Sequence, residues 1–159
     1  MNTALRTLTG AVVLLALVSL ASCSFTTEFV IVNDSAEVLW LEYWVKEVPG
    51  DFVPPVTPSI LPVSQLSSHE HQDWTRLEPG QYAIDPAQRT VSVRIMPGQA
   101  LLVYSMNHYG GHNDAWDAKE FRLEQIRMEG ASGVLLLSGE EARTKFSQAS
   151  RSLYYLDYK

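Results

Sequence analysis

In residues 37–46, leucine, tyrosine and valine side chains alternate with a second set that includes tryptophans and charged residues. Successive side chains of an extended strand point to opposite faces, so a period of two separates a face for the core from a face for the surroundings. One face of this segment carries Leu39, Leu41, Tyr43 and Val45. The other carries Val38, Trp40, Glu42, Trp44 and Lys46. A chain with this pattern must build a sheet that buries one side, which constrains its fold more than any other feature does.

Six further short segments have the apolar composition of strands, and turn residues separate them. Their ranges are 28–33, 90–96, 99–106, 120–129, 133–137 and 152–158. Asn33, Asp34 and Ser35 supply turn chemistry after the first of them, so we expect it to form a hairpin with residues 37–46. In residues 120–129 the apolar phase slips between Leu123 and Ile126, which predicts a β-bulge. The proline-rich residues 48–62 predict a crossing loop or an edge.

One short helix is predicted near the carboxyl terminus. Ser138 and Glu141 have the spacing of a capping box, which predicts a helix over residues 139–148. About seven short strands and one helix, with no alternation of strands and long helices, predict an all-β fold. We expect an antiparallel β-sandwich or an open barrel.

The amino terminus has the order of a secretory signal peptide. A charge at Arg6 precedes an apolar run over residues 11–20, and small residues then lead to Cys23, the only cysteine. Ten residues fall far short of the roughly 20 that a membrane-spanning helix needs. With a single cysteine, the domain has no internal disulfide. The sequence therefore predicts export.

Leu20, Ala21, Ser22 and Cys23 resemble the lipobox of bacterial lipoproteins. The resemblance implies a thioether-linked diacylglycerol on Cys23, cleavage before it and acylation of the new amino terminus, for example with palmitate. Position 24 is Ser and not Asp, which implies the outer membrane, facing the periplasm, in a Gram-negative cell envelope. The predicted division is a signal peptide over residues 1–22, a lipidated tether over 23–27 and one β-sandwich domain over 28–159. The alternative is an ordinary signal peptide cut near Ala21, with a free thiol at Cys23.

The charge balance excludes one class of partner. The chain has 18 acidic and 12 basic residues, a formal net charge of −6. Nucleic-acid binding depends on clustered positive charge, so we expect no nucleic-acid partner. The partners we expect are the membrane, through the lipid anchor, and an envelope protein.

A loop histidine cluster is the one candidate metal site. His69 and His71 would project from the same face of an extended segment. Together with Asp73, or with His108 or His112, they could hold zinc or copper. The other interpretation is a solvated polar loop whose histidines bind nothing. If the histidines bind no metal, we expect the protein to have no cofactor apart from the covalent lipid on Cys23.

Two aromatic clusters are candidate binding surfaces. In the polar loop over residues 107–117, Tyr109 and Trp116 could stack on a ligand that His112, Asp114 and Asp117 position. Alternatively, Trp116 only covers the edge of the core. Trp40 and Trp44 form an exposed patch for a protein or glycan partner if their face is outside, and are core residues if that face is covered.

Sequence motifs for catalysis are missing. The chain contains neither a Gly-x-Ser-x-Gly elbow nor a His-Glu-x-x-His motif. The first hypothesis is therefore a membrane-anchored envelope lipoprotein that is not an enzyme and has a protein-interaction or structural role. The alternatives are a metal- or small-ligand-binding lipoprotein and a hydrolase with an unrecognised site.

Overall fold

A computed structural model describes residues 25–46, 52–66, 72–108, 121–150 and 152–159. These residues contain eleven strands and one α-helix, α1, which spans Gly139–Lys145. A single 3-10 turn spans Val63–Gln65. The strands are β1 Phe25–Asn33, β2 Leu39–Val45, β3 Ser59–Pro62, β4 Thr75–Arg76, β5 Tyr82–Asp85, β6 Thr90–Ile95, β7 Gln99–His108, β8 Leu123–Gly130, β9 Gly133–Ser138, β10 Ser147–Ser150 and β11 Leu153–Tyr158.

The strands form two sheets, which confirms the all-β, sandwich-like fold. One sheet has six strands in the order β10-β11-β1-β7-β3-β4, and the other has five in the order β5-β6-β2-β8-β9. A single apolar cluster joins side chains of both sheets, among them Phe29 and Leu101 from the first and Leu41 and Met128 from the second.

All seven predicted segments contain strands. The four additional strands, β3, β4, β5 and β10, have at most four residues, too few to carry a long apolar pattern. β4, β5 and β10 are edge strands, and β3 lies next to an edge.

The predicted hairpin between the first two strands is wrong. β1 pairs with β7 and β11, whereas β2 pairs with β6 and β8 in the other sheet. The reason is that β1 needs cover on both faces. Phe29 and Ile31 lie in the main core, while Val30 and Val32 lie in a second cluster under Val56, Val63, Leu66 and Trp74. The turn after Asn33 therefore carries the chain from one sheet to the other.

The six-stranded sheet is mixed and not purely antiparallel. β1 and β11 are parallel, with Glu28 opposite Leu153 and Asn33 opposite Tyr158. The backbone nitrogen of Asp34 continues this pairing by donating to the carbonyl of Tyr158 at 3.0 Å. The first and last described strands, β1 and β11, are therefore neighbours inside the six-stranded sheet.

The predicted bulge and helix are both present. The register of β2 against β8 shifts between Trp44 and Val45, which confirms the slip read between Leu123 and Ile126. α1 begins at the predicted residue but ends at Lys145, so the prediction is wrong for Ser147 and Gln148, which belong to β10. Ser138 makes no side-chain cap hydrogen bond. Ala142 and the following Phe146 are buried in the main core. Packing, and not the capping box, therefore accounts for this short helix.

Candidate interaction surface

β2 has one buried face and one outward face. Its inner side chains, Leu39, Leu41, Tyr43 and Val45, are all buried. The outer face of the strand carries Trp40, Glu42 and Trp44. The side chain of Trp40 is 51% exposed and that of Trp44 is half-buried. Of the two sequence interpretations, the structure thus places both tryptophans on the outside of the five-stranded sheet.

Cross-strand pairing brings charged side chains beside Trp40. Trp40 lies opposite Arg94 of β6 and opposite Glu129 of β8. The guanidinium carbon of Arg94 lies 4.1 Å from the centroid of the Trp40 ring. A cation at this distance over an indole face is attracted by the ring quadrupole. Arg94 therefore orders the exposed ring and leaves part of it open to a partner.

The next row across the sheet is polar. Glu42 lies opposite Ser92 of β6 and Arg127 of β8. The hydroxyl of Ser92 donates to the Glu42 carboxylate at 3.3 Å, and Arg127 forms an ion pair with Glu129. We call this outer surface, made of Trp40, Glu42, Trp44, Ser92, Arg94, Arg127 and Glu129, the tryptophan face. Its two arginines balance its two glutamates, so a partner need not carry a strong charge.

A shallow depression of about 320 Å³ adjoins Trp44. It is lined by Glu42, Trp44, Ala83, Ile84, Asp85, Gln88, Thr90 and Ser92. Asp85 caps the turn that follows β5, because its carboxylate accepts hydrogen bonds from the backbone nitrogens of Ala87 and Gln88 at 2.9 and 3.0 Å. The depression extends the tryptophan face toward β5.

A second depression, of about 490 Å³, lies on the six-stranded sheet. Its lining is Val56, Thr57, Ser59, Gln72, Asp73, Trp74, Arg76, Leu102 and Ser105. The indole nitrogen of Trp74 is buried, and no described residue forms a hydrogen bond with it. Asp73, considered above as a metal ligand, is exposed at this depression.

The histidine hypothesis falls mostly outside the described residues. His69, His71 and His112 lie there, as do Tyr109, Asp114, Trp116, Asp117 and Cys23. The backbone of His108 ends β7 opposite Phe25. Within the described ranges, no three His, Cys, Asp or Glu side chains are grouped so that they could hold a metal ion. The metal site therefore stays a prediction.

Sequence reasoning did not single out the exposed leucines of β9. Val134, Leu135 and Leu136 are 57%, 41% and 52% exposed. Their composition predicts a strand, but an apolar run carries no sign that it will lie at the margin of a sheet. Only the strand order shows that β9 is the last strand of the five-stranded sheet.

A buried hydroxyl lies beneath the tryptophan face. Among the described residues, the Tyr43 hydroxyl oxygen has no hydrogen-bond partner. Burial, and to a smaller degree the neighbouring Tyr82, raises the pKa of Tyr43 far above its ordinary value. The group therefore stays protonated and neutral at physiological pH.

Comparisons with other proteins give no family for this chain. No protein-family model, no curated protein and no solved structure matches it. In the part of the chain that the structure describes, no helix is long and apolar enough to cross a membrane.

Proposed function

We propose that this protein is a membrane-anchored envelope lipoprotein that binds a protein partner through the tryptophan face and catalyses no reaction. The observation that carries the proposal is the half-exposed ring of Trp40, which Arg94 holds in place at 4.1 Å. Tryptophan and arginine are the side chains that contribute most often to binding hot spots. An ordered ring also loses less conformational freedom when a partner covers it.

The shape of the face favours a protein over a small molecule. Small-molecule sites are concave and enclose most of the ligand. The tryptophan face is one side of a sheet, with only a shallow depression beside Trp44. Its charged side chains, Glu42, Arg127 and Glu129, surround Trp40 with groups that can hydrogen-bond at the rim of an interface.

The anchor in this proposal is the lipid on Cys23 that the lipobox implies. β1 begins at Phe25, two residues after Cys23. Two extended residues reach at most about 7 Å, so a lipid on Cys23 would hold the sandwich directly beside the bilayer. Two or three acyl chains make such an anchor stable, because each buried methylene adds about 0.8 kcal/mol.

Photocrosslinking in cells tests the tryptophan face. A photoreactive amino acid at Glu129, which is 46% exposed beside Trp40, should join the full-length protein to one discrete partner. Trp40→Ala should then reduce this product several-fold. Val53→Ala is the control, because Val53 is 70% exposed and lies between β2 and β3, in neither sheet. An equal yield from both variants, or no crosslinked partner at all, would overturn the proposal.

A further inference from the structure

The five-stranded sheet has one edge without the usual protection. Sheet edges present free backbone groups, and proteins block them with short strands, charges or proline. β4 has two residues, and β10 has four that are mostly polar, Ser-Gln-Ala-Ser. β5 has four residues, ends at Asp85 and is followed by Pro86. β9 has six residues, Gly-Val-Leu-Leu-Leu-Ser, with neither charge nor proline.

The apolar side chains of this edge point to both faces of the sheet. Val134 lies opposite Glu129 of β8 and Leu136 lies opposite Arg127, so both belong to the outer face. Leu135 lies opposite Met128, a core residue, and therefore faces inward at the margin of the core. All three are more than two-fifths exposed, and no described strand pairs with the far side of β9.

We propose that β9 pairs antiparallel with β9 of a second copy, with Leu135 opposite Leu135. Paired residues share a face, so an outer residue must meet an outer residue. When the pair is centred on Leu135, Val134 of each copy lies opposite Leu136 of the other copy. Four aliphatic side chains thus come together on the outer face. Centring the pair on Leu136 instead would place Val134 opposite Ser138 and lose that match.

Charge and topology agree with a second copy as the occupant. β9 is uncharged, and the nearest charges on β8, Arg127 and Glu129, are paired with each other. Two copies therefore meet without like charges at the joint, although each chain carries −6. The symmetry axis of this pairing is perpendicular to the sheet. Because β1 lies in the six-stranded sheet, Phe25 of both copies lies on the same side of the joined sheet.

That arrangement suits two chains attached to one membrane. The backbone of Phe25 in both copies lies on one side of the joined sheet, and both tryptophan faces lie on the other side. Pairing of two short strands buries far less than the roughly 1,600 Å² of a standard interface, so the contact is weak in dilute solution. Attachment to one bilayer would raise the effective concentration and populate the pair. The register of the pairing does not involve the tryptophan face, but its population in membranes rests on the proposed anchor at Cys23.

Cysteine crosslinking of the full-length protein in cell membranes tests the register. Directly opposite residues have Cα atoms about 4.5–5.5 Å apart, within the range for a disulfide. Oxidation by air with copper-phenanthroline should thus convert Leu135→Cys to a disulfide-linked dimer. Val134→Cys is the matched control, because its two copies would be offset by two residues, about 8 Å between Cα atoms. Cells that make both Val134→Cys and Leu136→Cys chains should form the mixed dimer.

A charge at the centre provides a second measurement. Leu135→Lys places two ammonium groups opposite each other, so it should suppress the mixed dimer of the Val134→Cys and Leu136→Cys chains. The wild-type chain, whose Cys23 thiol is blocked by the proposed lipid, should give no disulfide dimer, and a dimer from it would contradict the anchor and not the pairing. Equal crosslinking of Leu135→Cys and Val134→Cys, a dimer from Leu136→Cys alone, or a mixed dimer that survives Leu135→Lys would each overturn the proposed pairing. Glu129 lies opposite Val134, so a photocrosslink from Glu129 to a second copy of this chain would support the pairing of β9, whereas a crosslink to a different protein supports the partner proposed for the tryptophan face.

Discussion

The side-chain nitrogen of Asn33 donates a 2.9 Å hydrogen bond to the carbonyl oxygen of Ile95. Asn33 is the last residue of β1 in one sheet, and Ile95 is the last residue of β6 in the other. The backbone nitrogen of Gly98 also donates to the carbonyl of Asn33, at 2.9 Å. One fully buried side chain thus joins two of the points at which the chain crosses between the sheets.

Replacing Asn33 should destabilise the sandwich strongly. Its amide also donates to the carbonyl of Glu37 at 2.7 Å and accepts a hydrogen bond from the hydroxyl of Ser35 at 2.6 Å. Asn33→Ala leaves the buried Ile95 carbonyl without this donor and should cost about 2–4 kcal/mol of unfolding free energy. Urea denaturation followed by tryptophan fluorescence measures the loss. Ser35→Ala, at a more exposed position, should cost less than about 1 kcal/mol, and an equal cost for both variants would contradict this account.

Removing the buried hydroxyl of Tyr43 should not destabilise the protein. The hydroxyl has no hydrogen-bond partner in the part of the chain that the structure describes, so Tyr43→Phe deletes a desolvated polar group and keeps the ring. We expect a gain of zero to about 1 kcal/mol in urea denaturation. Tyr43→Ala, which creates a cavity at the same site, should lose about 3–5 kcal/mol. A clear loss of stability in Tyr43→Phe would show that the hydroxyl has a partner.

The raised pKa of Tyr43 also predicts a dependence on pH. Burial, with a contribution from Tyr82, keeps Tyr43 protonated in the folded state, while its pKa in the unfolded chain is about 10. Ionisation of Tyr43 therefore has no effect on stability below pH of about 10, and above that value it favours the unfolded chain, so the folded state loses stability as the pH rises. Tyr43→Phe should unfold less readily than the wild type in alkaline titration. Identical alkaline curves for the two proteins would contradict the assigned burial.

The first residue of α1 should not tolerate a side chain. A Cβ atom at Gly139 would lie 2.8 Å from the carbonyl oxygen of Leu123 and 3.0 Å from that of Glu124. Both atoms belong to the backbone at the bulged start of β8 and cannot rotate away. Gly139→Ala should therefore cost about 1–3 kcal/mol, although alanine has the higher helix propensity. Glu141→Ala, on the exposed side of α1, is the control and should be nearly neutral in thermal unfolding.

The alternation along β2 was sufficient to predict which of its side chains lie inside. The slip between Leu123 and Ile126 likewise predicted the bulge of β8, because each depends only on the local period. The partner of β1 could not be predicted in this way. Periodicity assigns residues to faces, but the choice between a hairpin and a crossing depends on contacts distant in the chain, such as that between Asn33 and Ile95.

The candidate surface was only half predictable for the same reason. The sequence placed Trp40 and Trp44 together on one face, but whether anything covers that face depends on the order of strands in the other sheet. The apolar run of β9 gave no sign of exposure, since a buried strand and an edge strand have similar compositions. The interaction proposed for Trp40 and the pairing proposed for Leu135 therefore both depend on the topology.

The anchor proposed at Cys23 gives the last prediction. Cys23→Ser removes the sulfur that the lipobox resemblance assigns to the lipid, so the protein should lose the acyl chains and move from the membrane to the soluble fraction. Ser24→Asp keeps that cysteine and is the matched control. In a Gram-negative host it should leave the protein membrane-bound but shift it from the outer to the inner membrane. Fractionation with immunoblotting measures both changes, and a Cys23→Ser protein that stays in the membrane would refute the anchor.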